Sequence, residues 1–354
     1  MSQTTPAEPP PVDPWIPFDA LPFAHGGPVG EAVSRASPED FEVEEILGWV
    51  PDGDGGHAML WVEKRGANTE WVAGRLAALA GARSVDVGFA GLKDRHAVTR
   101  QWFTVDLRGR PEPDWSALDV EGVRVLEATR TRRKLRRGSL RGNRFRIVLR
   151  RCTASPAAMA DRLDALAALG APSYFGPQRF GRDGANVDAA RAALTRGGRP
   201  RLRAMVLSAA RSVLFNRVLA ARVAAGTWAR VLPGERAVLD GSRSHFAVET
   251  VDADIVARVA AADVHPSGPL WGAGAPSSTA EAAAAERAAL TGCECWCAGL
   301  EAVSAEERRA LRVSVRDLDH AWSGPDLTLA FSLGAGAYAT AVLREIVRDV
   351  EAAP

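Results

Sequence analysis

The sequence predicts an α+β protein, on three observations. Strand-like and helix-like segments follow one another without a regular βαβ alternation. The 354 residues correspond to roughly two domains, or one domain with a large insertion. Hydrophobic residues make up 47% and charged residues 25%, enough apolar material to build a core and to exclude a disordered tail protein. No stretch reads as the ~20 apolar residues of a membrane helix. Net charge is +1, from 44 basic and 43 acidic residues, so affinity for a polyanion would have to come from a local patch.

Taken in order, residues 1–15 (MSQTTPAEPPPVDPW) are rich in proline and read as a PPII-like lead-in. They lack the basic and apolar regions of a signal peptide. Ser37 to Glu45 reads as a turn feeding a strand, Asp52 to Gly56 as a flexible loop, and His57 to Lys64 as a strand. Asn68 and Thr69 cap a helix that runs to about Ala80 and stops at Gly81. Val85 to Leu92 and Thr99 to Leu107 are β-rich runs around the polar connector Lys93-Asp94-Arg95-His96. From Arg144 to Arg150, apolar Phe145, Ile147 and Leu149 alternate with arginines. Ser155-Pro156 opens a helix to about Leu169. Beyond residue 173 the texture changes to Ala/Arg-rich helices, short strands near Arg236 to Leu239 and Ser244 to Thr250, and a loop from Pro266 to Ser278. The strand Leu327 to Leu333, the turn Gly334-Ala-Gly336 and a helix from about Tyr338 to Val350 complete the reading.

Four features bear on chemistry. Arg130 to Arg151 holds eleven Arg or Lys residues and no Asp or Glu. Arginine forks suit phosphate, and a one-sign patch costs self-repulsion, so an RNA or DNA backbone is the favoured partner, with Phe145 as a stacking face. The alternative is a solvated strand pair balanced by carboxylates from elsewhere. Gly334-x-Gly336-x-x-Ala339 follows a strand and opens a helix, but too little chain follows to complete a dinucleotide-binding unit, so no nucleotide cofactor is expected. Cys293, Cys295 and Cys297 lack the distant second pair of a structural zinc site; with Cys152 they read as reduced thiols, no metal is expected, and the cytoplasm is the expected compartment. The window Phe89 to Val105 sets Asp94 between Lys93 and Arg95 at the mouth of an apolar strand pair. Neighbouring cations favour the ionised carboxylate, which suits a nucleophilic or electrostatic role; a surface aspartate in a charged turn is the plain alternative.

That window, Gly91-Leu-Lys93-Asp94-Arg-His-Ala-Val-Thr-Arg-Gln-Trp102, closely resembles the active-site motif of the TruD family of tRNA pseudouridine synthases. Pro38-Glu-Asp-Phe41-x-Val, Lys134-Leu-Arg-x-Gly-x-Leu-x-Gly-Asn143-x-Phe145, Tyr174-Phe-Gly-x-Gln178-Arg-Phe-Gly181, Leu207-Ser-Ala-Ala-Arg211-Ser-x-Leu-Phe-Asn216 and Gly336-x-Tyr338-Ala-Thr340 resemble further motifs of that family, in order along nearly the whole chain.

The resemblance implies a pseudouridine-synthase catalytic domain with a mixed, largely antiparallel sheet, formed by residues 1–172 and 312–354. A family-specific α/β insertion domain would occupy 173–311. It implies isomerisation of a uridine in tRNA, at position 13, to pseudouridine, with no cofactor. Asp94 falls on the catalytic aspartate; attack on the base, attack on the ribose and assisted elimination all stay open. Phe41, Asn143 and Tyr338 fall on substrate-binding positions near the flipped uridine. Tyr338 stands where Phe is frequent, and Arg35 where relatives can carry Lys, so the resemblance implies only a cation there. Lys93 and Phe145 are further substrate-binding candidates; Arg133, Lys134, Arg136, Arg137 and Arg141 are candidates for the RNA backbone. A monomer working on tRNA, away from membranes, is expected. Readings of another class are a non-catalytic RNA chaperone using the arginine tract, and a nucleotide-dependent enzyme using Gly334 to Ala339.

Overall fold

The computed structural model describes residues 12–196 and 200–350; the lead-in, as far as residue 11, lies outside them. The described chain forms two compact units. One contains Ala168–Ser314, Thr340–Glu345 and the chain up to Gly27; the other contains Pro28–Ala167, Val315–Ala339 and the chain from Ile346 onward.

The second unit is built on an eight-stranded sheet. Its path runs Arg316–Ser323, Asp326–Gly334, Gly142–Leu149, Phe41–Ile46, Val98–Asp106, His57–Arg65, Val123–Thr131. Neighbours are antiparallel except Phe41–Ile46 and Val98–Asp106, which pair in parallel over 42–44 and 98–100. Further along, Val98–Asp106 changes partner: residues 103–105 pair with the short strand Val87–Phe89. The expected alternations are present. Phe41 and Val43 are buried while Glu42 and Glu44 are half-exposed; Phe145, Ile147 and Leu149 are buried while Arg144 and Arg146 are exposed. Successive strand side chains point to opposite faces, so burying one face enforces this pattern.

The helix Thr69–Leu79 covers one face through Val72, Ala73, Leu76 and Ala77, which pack with Leu60, Val62, Phe103 and Val105. The strand read from Val85 is shorter. A 3-10 turn, Ser84–Asp86, precedes Val87–Phe89, and residues 90–97 form a loop. Gly88 is required there, since a Cβ would sit 2.4 Å from the Leu135 carbonyl oxygen.

In the first unit, Glu235–Leu239 is flanked by His245–Val248 and Val264–His265, all antiparallel. The segment expected as a loop from Pro266 contains the strand Ser267–Leu270, paired with Glu307–Ala310. Buried Arg308 explains the pairing: it donates to the Ser267 carbonyl at 3.0 Å and to the Glu286 carboxylate at 2.6 Å. Helix Ala204–Ala224 is 21 residues long and contains an 18-residue window of mean hydropathy 1.3, enough by length and composition to cross a membrane, which corrects the sequence reading; 56% of that window is buried within the protein. Burial pushes the Cys297 thiol up to about 12 and Cys293 upward as well, away from the thiolate a metal needs.

Candidate active site

The loop 90–97 is held from below by polar side chains of the sheet and the neighbouring helix. Gln101 donates to the Gly91 carbonyl at 3.1 Å and accepts from the Thr69 hydroxyl at 3.0 Å. Thr69 in turn accepts the Lys93 backbone N–H at 3.0 Å. Lys64 is fully buried and donates to the carbonyls of Ala67 and Asp94, each at 2.8 Å, and of Lys93 at 3.5 Å. An ammonium has three donors and no acceptor, so three converging carbonyls complete it. Burial pushes Lys64 down to about 8, against the pull of the Asp94 carboxylate and with the push of Lys93.

Asp94 is therefore fixed through its backbone, while its side chain stays 25% exposed. One carboxylate oxygen accepts the His96 N–H at 3.1 Å; the other faces the Arg35 guanidinium at 3.0 Å. The sequence places Lys93 and Arg95 beside Asp94, yet neither supplies that cation. Lys93 turns to Glu45 at 3.0 Å and Asn143 at 2.7 Å, and Arg95 donates to the Gly66 carbonyl at 3.1 Å. Consecutive side chains in an irregular loop diverge, so adjacency in sequence did not give adjacency of charge.

Arg35 reaches Asp94 from a left-handed backbone, φ 56°, a conformation a side chain makes unfavourable and that clusters at functional sites. Its guanidinium carbon lies 4.1 Å from the centroid of Phe41. Phe41 meets Phe145 edge-on at 6.1 Å, and Phe145 stacks on Phe331 at 5.4 Å. An aromatic row across three strands thus leads to the carboxylate. Phe145, read as a stacking surface, is 6% exposed and lies inside this row. Asn143 is opposite Glu45 on one side and Leu333 on the other. The Ala335 N–H binds the Arg141 carbonyl at 3.0 Å, which anchors the glycine turn beside Asn143. Half-buried Tyr338 follows that turn and precedes the helix Ala339–Ile346.

A reachable carboxylate on a fixed backbone, paired with a cation that covers an aromatic ring, is equipped for nucleophilic or electrostatic catalysis on a planar substrate. A family model described as tRNA pseudouridine synthase D (TruD) matches residues 26–198 and 185–346. The chain belongs to the TruD family. It is 50% identical over 336 residues to the tRNA pseudouridine synthase D of Methylococcus capsulatus, covering 93% of this chain and 95% of that one. It is 49% identical over 341 residues to that of Nitrosococcus oceani, with the same coverage. The crystal structure of a putative TruD from Methanosarcina mazei shares the fold, with a TM-score of 0.70 at 19% identity over 93% of this chain and 96% of that one. TruD proteins are isomerases.

In this TruD chain the arginine tract divides in two. Arg144 and Arg146 face Glu44 and Glu42, and Arg150 pairs with Asp40 and Asp326, as the balanced strand alternative requires. The loop before them differs. Arg137 stacks on Phe89 at 4.0 Å and pairs with Glu70; Lys134 donates to the Val85 carbonyl. Arg133, Arg136 and Arg141 are exposed and make no direct ion pair with a carboxylate among the described residues, although the Arg133 charge acts on Asp52. The Gly138 N–H binds the Ala90 carbonyl at 2.8 Å, tying this loop to the Asp94 loop.

The sequence reading did not single out Lys64, Glu45 or Gln101, and gave Thr69 only a place at a helix start. A signal for Lys64 was present. Only Lys64, Lys93 and Lys134 are lysines in a chain with 44 basic residues, and two of the three converge on residues 90–97. A caged point charge is one role that a forked guanidinium fills poorly.

Proposed function

We propose that the protein converts a uridine of tRNA, at position 13, to pseudouridine, with Asp94 as the catalytic group. The observation that carries this is the Asp94 carboxylate, 25% exposed and 3.0 Å from an Arg35 that covers Phe41. The reaction breaks the N-glycosidic bond, turns the uracil and rejoins it through carbon, so it is redox-neutral. A stacked uridine must first leave the helix, which costs on the order of a few kcal/mol. Phe41 and Tyr338 offset this with ring contacts, Phe145 braces Phe41 edge-on, and Arg35 yields its place on Phe41 to the base while staying near Asp94. Arg133, Arg136 and Arg141 bind phosphates. In this reading residues 1–172 and 312–354 form the catalytic domain and 173–311 the insertion.

Release of tritium from 5-tritiated uridine in tRNA tests the proposal. The parent releases it; Asp94→Asn folds and binds tRNA but shows no turnover, because an amide is isosteric and a poor nucleophile. Residual activity within about tenfold of the parent, ~1.4 kcal/mol, would remove Asp94 from the chemistry. A chaperone would release none in either form.

A further inference from the structure

Lys93 approaches Asn143 with an ammonium that only donates, so the amide must turn its oxygen toward Lys93; the 2.7 Å contact is to Asn143 Oδ1. Glu45 pins Lys93 from the other side at 3.0 Å, with the two side chains 0% and 5% exposed. Glu45 cannot swing away. Its second oxygen accepts the Trp102 N–H at 3.3 Å, at the point where the Val98–Asp106 strand changes partner. The Asn143 amide nitrogen has no hydrogen-bond partner among the described residues, and Asn143 is half-buried beside the Asp94 loop. The chain Trp102–Glu45–Lys93–Asn143 therefore leaves N–H donors as its groups without a partner among the described residues.

We propose that Lys93 and Glu45 are positioning residues that lock Asn143 as a donor to a carbonyl of the flipped uracil. This rests on the functional reading above. The uracil edge offers an N3–H donor and two carbonyl acceptors, and a group that only donates serves the carbonyls alone. Lys93, expected to touch substrate, acts instead through Asn143. An asparagine free to flip would present its oxygen part of the time and lose that selectivity.

The test measures single-turnover rates on tRNA carrying uridine, 2-thiouridine or 4-thiouridine at the target, sulfur being a poor acceptor. The parent should be slowed about tenfold by one of the two sulfur substitutions. Lys93→Met, and the paired Lys93→Met/Glu45→Gln variant that leaves no buried unpaired carboxylate, should compress that ratio below about threefold, as should Asn143→Asp, which presents no donor. A structural defect would slow all three substrates equally and leave the ratio intact. A full tenfold ratio in the folded paired variant, or a parent indifferent to both sulfur atoms, overturns the inference. A parent that makes no pseudouridine from any substrate overturns the functional reading beneath it, which is a separate outcome.

Discussion

On the face of the sheet that carries the Asp94 loop, the Glu45 and Lys93 side chains are 0% and 5% exposed; on the opposite face, Glu42 and Arg146 are 26% and 51% exposed. That opposite face carries a run of alternating charges across five strands, Arg124, Glu63, Arg100, Glu42 and Arg146, each touching the next. The two arrangements use the same residue types for different ends. Exposed pairs are screened and cost side-chain entropy, so each is worth about 0–1 kcal/mol. Like-charge repulsion across strands is avoided, and solvent does the rest. A buried pair gains little net stability over an apolar pair but is costly to break, because the surviving charge has no partner. The buried pair therefore holds a geometry, while the exposed run keeps a sheet face soluble.

Breaking one pair on each face makes the comparison quantitative. Glu45→Ala strands buried Lys93 and frees the Trp102 N–H; it should cost on the order of 3–5 kcal/mol of unfolding free energy. Glu42→Ala should cost less than about 1 kcal/mol. Urea denaturation of both variants checks this, and equal losses would mean that the inner pair is hydrated.

The same contrast explains how much the sequence disclosed. Phe41 to Val43 and Phe145 to Leu149 were legible because their strands lie inside the sheet and bury one face, which imposes period two. The helix Thr69–Leu79 was legible from its start after Asn68 and its stop at Gly81, although Asn68 makes no capping side-chain bond and the Thr69 hydroxyl turns to Gln101 instead. Both missed strands of the large sheet, Val123–Thr131 and Arg316–Ser323, are its two edges. Arg316–Ser323 is exposed along most of its length, and Val123–Thr131 is buried only at its ends; with little burial there is no alternation to read. At the site, motif resemblance picked out Asp94 and the residues the fold gathers around it, Arg35, Phe41, Lys93 and Asn143. Glu45, Gln101 and Lys64 were not, because what they touch depends on the parallel register of 42–44 with 98–100 and on a loop crossing over Lys64, neither of which leaves a local pattern.

Lys64 sharpens the comparison through pH. Its proton leaves at about 8 in the folded chain, against an ordinary value of 10.5. Between those values the unfolded chain binds more protons, so this group makes stability rise with pH across that window and withdraws the gain as pH falls through 8. Activity should move the other way. A neutral amine has two N–H donors for three carbonyls, and the Asp94 loop loses an anchor. Turnover should fall above about pH 8 while the melting temperature does not fall in step; Lys64→Met should be slow throughout and lack that alkaline decline. Parallel loss of rate and melting temperature in the parent would assign the decline to unfolding.

Tyr338 sets a smaller expectation. If its ring packs on the flipped base or a neighbour, Tyr338→Phe retains most activity and Tyr338→Ala loses on the order of 1–3 kcal/mol of stacking. Single-turnover rates with saturating tRNA, read beside melting temperatures, separate this from a packing role. A destabilised Ala variant with the parental rate would place Tyr338 in the core.

The smallest effect belongs to the outward-facing arginines, and it separates the two halves of the tract. Arg144 and Arg146 are already neutralised by Glu44 and Glu42, so an arriving phosphate would have to compete with a carboxylate in place. Arg133, Arg136 and Arg141 make no direct ion pair with a carboxylate among the described residues, and only Arg133 feels one nearby, Asp52. Binding by the latter three releases counterions, and each phosphate contact contributes roughly 0.7–0.9 to the slope of log affinity against log salt. Replacing Arg133, Arg136 and Arg141 by Gln should flatten that slope by about two to three. Replacing Arg144 and Arg146 by Gln should leave it within error of the parent, with stability changed by less than about 1 kcal/mol per pair. If the second substitution flattens the slope as much as the first, the strand arginines exchange their carboxylates for phosphates on binding, and the outer face of the sheet belongs to the RNA interface after all.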